Sequence, residues 1–212
     1  MGQHNLFTNS EIAASYESWY STTGRWADRQ EKTLIKQLLK GFPSVRSILD
    51  VGCGTGHFTR WFSQQGKQVI GLDASRAMLN EAKRFGSNLL LQGNALEIPF
   101  TSNSFDLITL ITTLEFLPDA YKVINEVQRV ARQGLILGVI NTQSSLGRKY
   151  KRSGNPIWEA AQFFTPNELK NLILKTLDFK AEIIWRTTLW PLLPMSLPFP
   201  WGGFIGMAVK WN

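Results

Sequence analysis

The sequence predicts an α/β protein organised around a doubly wound, mostly parallel sheet. Three observations carry that expectation. Short apolar runs alternate with amphipathic helical stretches between residues 45 and 140; the first run leads into a glycine-rich segment, LDVGCGTGHF (49–58); and the next ends on an aspartate, in QVIGLD (68–73). Alternation of this kind gives parallel strands with helices on both faces. A tight glycine turn at the carboxyl end of the first strand lies where such sheets place their ligands.

Taken in order, residues 9–40 read as helical with a break at STTG (21–24). Ser10 is a candidate cap, and Ile12, Tyr16 and Trp19 recur at helical spacing. The second piece carries Leu34, Ile35, Leu38 and Leu39 on one side and is stopped by Gly41 and Pro43. Strands are expected at 45–51, 68–73, 88–93, 105–111 and 134–140, and helices at 58–65, 75–85 (capped by Ser75) and 120–131. Beyond residue 141 the rhythm changes. FTPNELKNLILKTL offers Thr165 as a cap, Pro166 in the first helical position and Glu168 to complete a capping box. Two strands near 180–188 and 203–211 finish the pattern, joined by a proline-rich apolar segment.

Composition bounds the rest. A 212-residue chain with 43% hydrophobic and 18% charged residues can bury one globular core. The single cysteine, Cys53, excludes an internal disulfide and a cysteine-based metal cage, and no metal is expected. The start, MGQHNLFTNS, lacks a signal-peptide pattern and has Leu6 where a myristoylation signal needs Ser or Thr, so the expected location is cytoplasmic. The net charge of +7 is spread along the chain, as on a solvated surface, apart from one cluster of Arg148, Lys149, Lys151 and Arg152. The longest apolar stretch (189–204) contains Pro191, Pro194, Pro198 and Pro200, which no membrane-spanning helix would tolerate.

The glycines at 52, 54 and 56 spell G-x-G-x-G, whereas the dinucleotide fingerprint is G-x-G-x-x-G. Asp73 suits both ribose hydroxyls of an adenosine and repels a 2′-phosphate, which leaves NAD and S-adenosylmethionine open; the plainer role is to cap the next helix. At the third strand end the Asn94 amide oxygen can accept from an adenine amino group and the Ala95 N–H can donate to a ring nitrogen. Ala74 and Met78 can flank the ring, although Met78 is equally an ordinary core residue.

The segments ILDVGCGTGHFTRWF, VIGLDASRAML, QGNALEIPFTSNSFDLITLITTLEFLPD and GLILGVIN follow one another with a spacing that resembles class I S-adenosylmethionine-dependent methyltransferases, most of all the broad group containing the ubiquinone and menaquinone C-methyltransferases. The resemblance spans roughly residues 10–180. It implies a Rossmann-like sheet of seven strands with the last antiparallel, in one domain over 1–212. Within it, 1–43 would form an N-terminal helical lid, 44–141 the cofactor-binding core and 142–212 the substrate side. It also implies that Asp50 orients the methionine amino group, that Gly52, Gly54 and Gly56 line the methionine portion, and that backbone at Leu110 and Ile111 closes that end. The chain departs from the family at Asn94, often aspartate, and at Phe116, where many members carry histidine.

Methyl transfer from a sulfonium needs alignment and exclusion of water more than acid–base groups. No catalytic residue is therefore assigned. His57 reads as a packing or capping residue, and Glu115 as a candidate facing the substrate. Neither an N-P-P-aromatic run nor a suitably placed nucleophilic cysteine is present, which turns the expectation toward a small-molecule acceptor and away from nucleic acid. Candidate pocket residues are Tyr16, Trp19, Tyr20, Glu115, Phe116, Arg148 and Trp190, with Leu193, Phe199 and Trp201 on an apolar wall. They suggest an apolar or aromatic acceptor bearing an anionic group, or one met at a membrane surface. The alternatives are a nucleic-acid methyltransferase or RNA-binding module, a nicotinamide enzyme, and an adenosyl-binding protein without transfer activity.

Overall fold

The computed structural model describes residues 7–22, 24–190 and 195–211; Pro191 to Pro194, Leu193 of the expected apolar wall among them, lie outside it. Seven strands run β1 (Ser47–Val51), β2 (Gln68–Asp73), β3 (Leu90–Gln92), β4 (Phe105–Ile111), β5 (Ala131–Ile140), β6 (Glu182–Thr188) and β7 (Phe204–Lys210). They form one sheet in the order β3-β2-β1-β4-β5-β7-β6. The pairs among the first five strands are parallel, and β7 is antiparallel to both β5 and β6. The doubly wound sheet with an antiparallel last strand is the one the sequence predicts.

Side chains on successive strand residues point to opposite faces, so one strand feeds two cores. Ile48, Leu107 and Ile136 join Leu34, Ile35, Phe58 and Phe62 on one face. Leu49, Ile108, Leu135 and Leu137 join Val123, Val127, Leu169 and Ile173 on the other. The helices supplying these layers are α2 (Arg25–Leu39) and α3 (His57–Gln64) on the first face, and α5 (Ala120–Val130) and α8 (Pro166–Thr176) on the second. Two others, α1 (Ser10–Ser21) and α4 (Arg76–Arg84), pack together at the β3 side. No helix of the described residues is long and apolar enough to cross a membrane.

Capping is largely local. Ser75 accepts the Met78 N–H, and Thr165 and Glu168 form the reciprocal capping box. At α1 the cap is Asn9, not Ser10: its amide oxygen takes the Glu11 and Ile12 N–H groups, and Ser10 is already helical. The break between α1 and α2 is set by Gly24, where a Cβ would stand 2.3 Å from the Trp19 indole. β5 begins at Ala131, earlier than expected, because the ladder slips between Phe105 and Leu107 and lets extra residues bulge. Two short helices, α6 (Ser145–Lys151) and α7 (Pro156–Ala160), are absent from the sequence expectation, being too short to show an apolar stripe.

Candidate active site

The chain order reverses between β1 and β4, and the crevice at their carboxyl ends holds the cavity. The glycine loop forms its floor. The N–H groups of Gly52 and Cys53 both donate to the Leu72 carbonyl (2.7 and 3.1 Å), which ties the loop to β2. Gly52 has φ +70°, and a Cβ there would come 2.1 Å from Thr113 Cγ2. Gly54 has φ +53° but nothing within 4 Å of where its Cβ would be, so its bare face looks into open space at the cavity surface.

Two aspartates flank the loop in different states. Asp73, at the end of β2, accepts the Gly54 and Ser75 N–H groups, both at 2.8 Å. The two oxygens of a carboxylate together offer about four lone-pair directions, which suits the group to hydroxyl donors. Asp50 is buried and accepts the hydroxyls of Thr59 (2.6 Å) and Thr109 (2.8 Å). Burial outweighs those bonds and pushes its carboxyl up to about 6. Cys53 is held well above the usual thiol range by burial and then by Asp73 and Asp50, so it remains an inert thiol.

Of the residues the sequence nominates, Asp50, Gly52, Gly54, Asp73, Ala74, Met78, Asn94, Ala95 and Ile111 line the cavity, together with Tyr16, Tyr20 and Phe116. The others stand elsewhere. Gly56 caps α3 and packs on Ser87, and Leu110 is wholly inside the core. Trp19 covers Gly24 instead of a ligand. Arg148 donates back to the Gln143 carbonyl and Trp190 to that of Thr187. Glu115 sits behind Phe116, with Oε1 accepting the Ile140 N–H at 2.8 Å. The Asn94 amide oxygen already accepts the Leu96 N–H at 3.0 Å, in a local turn.

Several lining residues escaped sequence reasoning, among them Phe7, Thr8, Thr55, Phe58, Thr112 and Leu117. Phe7 crosses the opening: its carbonyl accepts from Ser75 Oγ at 2.6 Å, and its ring meets Phe116 edge-on at 5.0 Å. Nothing in its local sequence marks it, since the contact joins positions 109 residues apart.

A charged cluster fastens α1 to the glycine loop. Glu17 accepts from Thr55 Oγ1 at 2.5 Å and pairs with Arg60, with His57 Nδ1 at 3.4 Å. His57 Nε2 lies 2.7 Å from Asp28, which also binds Lys32, and its ring stacks on Tyr20 with centroids 3.6 Å apart. Burial works against the charge on His57, but Asp28 and Glu17 prevail and hold it above the usual histidine range. Burial likewise pushes Tyr16 up to about 12, so neither it nor His57 is poised to remove a proton near neutrality. The site can bind and align a ligand and exclude water.

The family described as "Methyltransferase domain" matches residues 49–138, the stretch from the glycine loop through β5. An uncharacterized protein of Methanocaldococcus jannaschii is 30% identical over 172 residues, covering 78% of this chain and 80% of its own length. A demethylmenaquinone methyltransferase of Oceanobacillus iheyensis is 34% identical over 62% of this chain, which spans only 58% of that relative's length. Among solved structures, a SAM-dependent methyltransferase of Thermotoga maritima, named "possible histamine N-methyltransferase", superposes with a TM-score of 0.80 at 25% identity, covering 96% of this chain and 98% of its own. With the glycine loop, the acid ending β2 and the sheet order already in place, these likenesses settle the family: the chain belongs to the class I S-adenosylmethionine-dependent methyltransferases.

Proposed function

We propose that this methyltransferase acts on a small-molecule acceptor enclosed beneath its N-terminal segment. The observation that carries this reading is one cavity reaching from Asp73 and Asn94 at one end to Tyr16, Tyr20 and Phe116 at the other, crossed by Phe7. S-adenosylmethionine would supply an activated methyl group, and the chain's residues fit its parts. Asp73 would hold the ribose hydroxyls, Ala95 and Asn94 the adenine edge, and Met78 and Ala74 its faces. The open face of Gly54 admits the methionine portion, and Asp50 backs it. The chain's residues would act chiefly by aligning donor and acceptor and excluding water.

The acceptor end is aromatic and carries no lysine or arginine among its described lining residues, although the chain has 23. This argues for an enclosed small molecule and against a polynucleotide, whose phosphates need cations at the mouth. It also removes the reason to expect an anionic group on the acceptor, since Arg148 faces its own loop. The names of the relatives point two ways, to demethylmenaquinone and to histamine.

Thermal unfolding with S-adenosylhomocysteine and, separately, NAD tests the cofactor side. A ligand at a hundred times its dissociation constant stabilises by about 2.7 kcal/mol. The adenosyl ligand should stabilise and NAD should not, and Asp73→Ala should abolish most of the shift. Stabilisation by NAD alone would refute the reading.

A further inference from the structure

We infer that the acceptor carries a basic nitrogen, drawn to the lid end of the cavity by an aromatic wall backed by two buried carboxyls, Glu31 and Glu115. The inference rests on the methyltransferase reading above and narrows its substrate class. Glu115 is wholly buried in the turn after β4, and its Oε2 has no hydrogen-bond partner. Glu31, on the buried side of α2, is 5% exposed and makes no hydrogen bond or ion pair with the described residues. Buried polar groups are nearly always paired, so the open Oε2 of Glu115 requires a reason.

The two acids share one neighbourhood. Each acts electrostatically on Tyr16, Glu31 also on Tyr20 and Tyr150, and Glu115 on Glu31 itself. Tyr16, Tyr20 and Phe116 are cavity-lining residues, and Tyr150 extends the aromatic layer through its stack on Trp158. The basic groups within reach of Glu31 are His57 and Lys32, and both are already engaged by Asp28, with His57 bonded to Glu17 as well. Among the described residues the acid pair is therefore left without a cation of its own. Burial first, and then the neighbouring acids, push Glu31 up to about 8, while burial pushes Glu115 up to about 7.

A ring of aromatic faces attracts a cation through its quadrupole, and low-dielectric surroundings lengthen the reach of a carboxylate behind it. An ammonium or imidazolium would meet both, and would draw the two carboxyls into their ionised form. A carboxylate, phosphate or phenolate acceptor would gain nothing from the acid pair, which would keep its protons, and would be repelled by Asp73.

The test measures binding at saturating S-adenosylhomocysteine, by calorimetry between pH 6.5 and 8.5. Methylamine, benzylamine, phenethylamine and 2-(imidazol-4-yl)ethylamine are compared with benzyl alcohol, 2-phenylethanol, benzoate and a naphthoquinol. At least one amine should bind ten times tighter than its oxygen counterparts, with protons released on binding and affinity rising toward pH 8. Glu31→Gln and Glu115→Gln should each remove most of that discrimination while leaving the adenosyl affinity within about twofold. If S-adenosylhomocysteine itself does not bind, the methyltransferase reading fails. If it binds but no amine is preferred, or the naphthoquinol is, the basic-nitrogen proposal is overturned. It is equally overturned if the Gln variants change only the preference for S-adenosylmethionine over S-adenosylhomocysteine, since the acids would then serve the donor's sulfonium.

Discussion

The two ends of the cavity are built on opposite principles. The proposed cofactor end is made of consecutive strand ends, with Gly52 to Gly54 after β1, Asp73 to Ser75 after β2 and Gly93 to Ala95 after β3, each contributed by a turn of a few residues. Its bonds are short and mostly backbone-directed, as in the two N–H groups that Asp73 receives. The proposed acceptor end is gathered from Phe7, Tyr16, Tyr20 and Phe116, held by ring contacts, with α1 fastened to the glycine loop through Glu17. A local motif can specify a turn. A wall assembled from distant segments depends on how those segments dock.

The largest effect expected at the proposed cofactor end comes from Gly52 and Gly54 of the loop after β1, which should separate stability from binding. Gly52→Ala would force a methyl group into Thr113 at a left-handed backbone position, and should cost about 2–4 kcal/mol of stability. Gly54→Ala meets no neighbour, so it should cost only about 1 kcal/mol from its backbone conformation while weakening S-adenosylhomocysteine binding markedly. Melting curves paired with calorimetry decide the matter; equal loss of stability in both variants would erase the distinction drawn between a packed loop base and an open loop face.

A smaller effect should appear where α1 joins the loop. Glu17→Ala removes partners from Thr55, Arg60 and His57 at once, all part-buried. Faster dissociation of S-adenosylhomocysteine, by about threefold to tenfold, is the expected stopped-flow result, with the equilibrium melting temperature lowered by only a few degrees. An unchanged off-rate would mean that this contact does not restrain the ligand.

The smallest effect is a slope. Asp50, Glu31 and Glu115 have folded pKa values of about 6, 8 and 7, all above their unfolded ones of 3.8 to 4.5, so the folded chain keeps protons that the unfolded chain has shed. Their stability contribution is greatest at low pH and is lost as pH rises from about 4.5 toward 8. His57, also raised, adds in the same direction, whereas Asp28 and Glu17 are lowered and withdraw stability only on acidification. The melting temperature of the ligand-free protein should therefore fall between pH 5.5 and 8.5, and Glu31→Gln should flatten the decline. A rising profile would show that the acids are already ionised.

The sheet and its order of motifs could be read from residue patterns because strand alternation, helix caps and left-handed glycines act over a few residues. QVIGLD, the Ser75 cap and the Thr165–Glu168 box are all of this kind. So is the nomination of Asp73, Ala74, Met78 and Ala95, which the strand ends bring to one surface. Arg148 and Trp190 were nominated because their segments leave the carboxyl edge of the sheet, and each turns to a nearby carbonyl instead. Periodicity could not foresee that Phe7 would cross the opening, that His57 would be clasped between Asp28 and Glu17, or that Glu31 and Glu115 would both be buried. Such arrangements depend on docking between segments remote in the chain, where burial and long-range charge set the outcome. Local sequence thus determined the strand-end turns proposed to hold the methyl donor, while the aromatic chamber opposite them took its shape only when the N-terminal segment and the turn after β4 packed together.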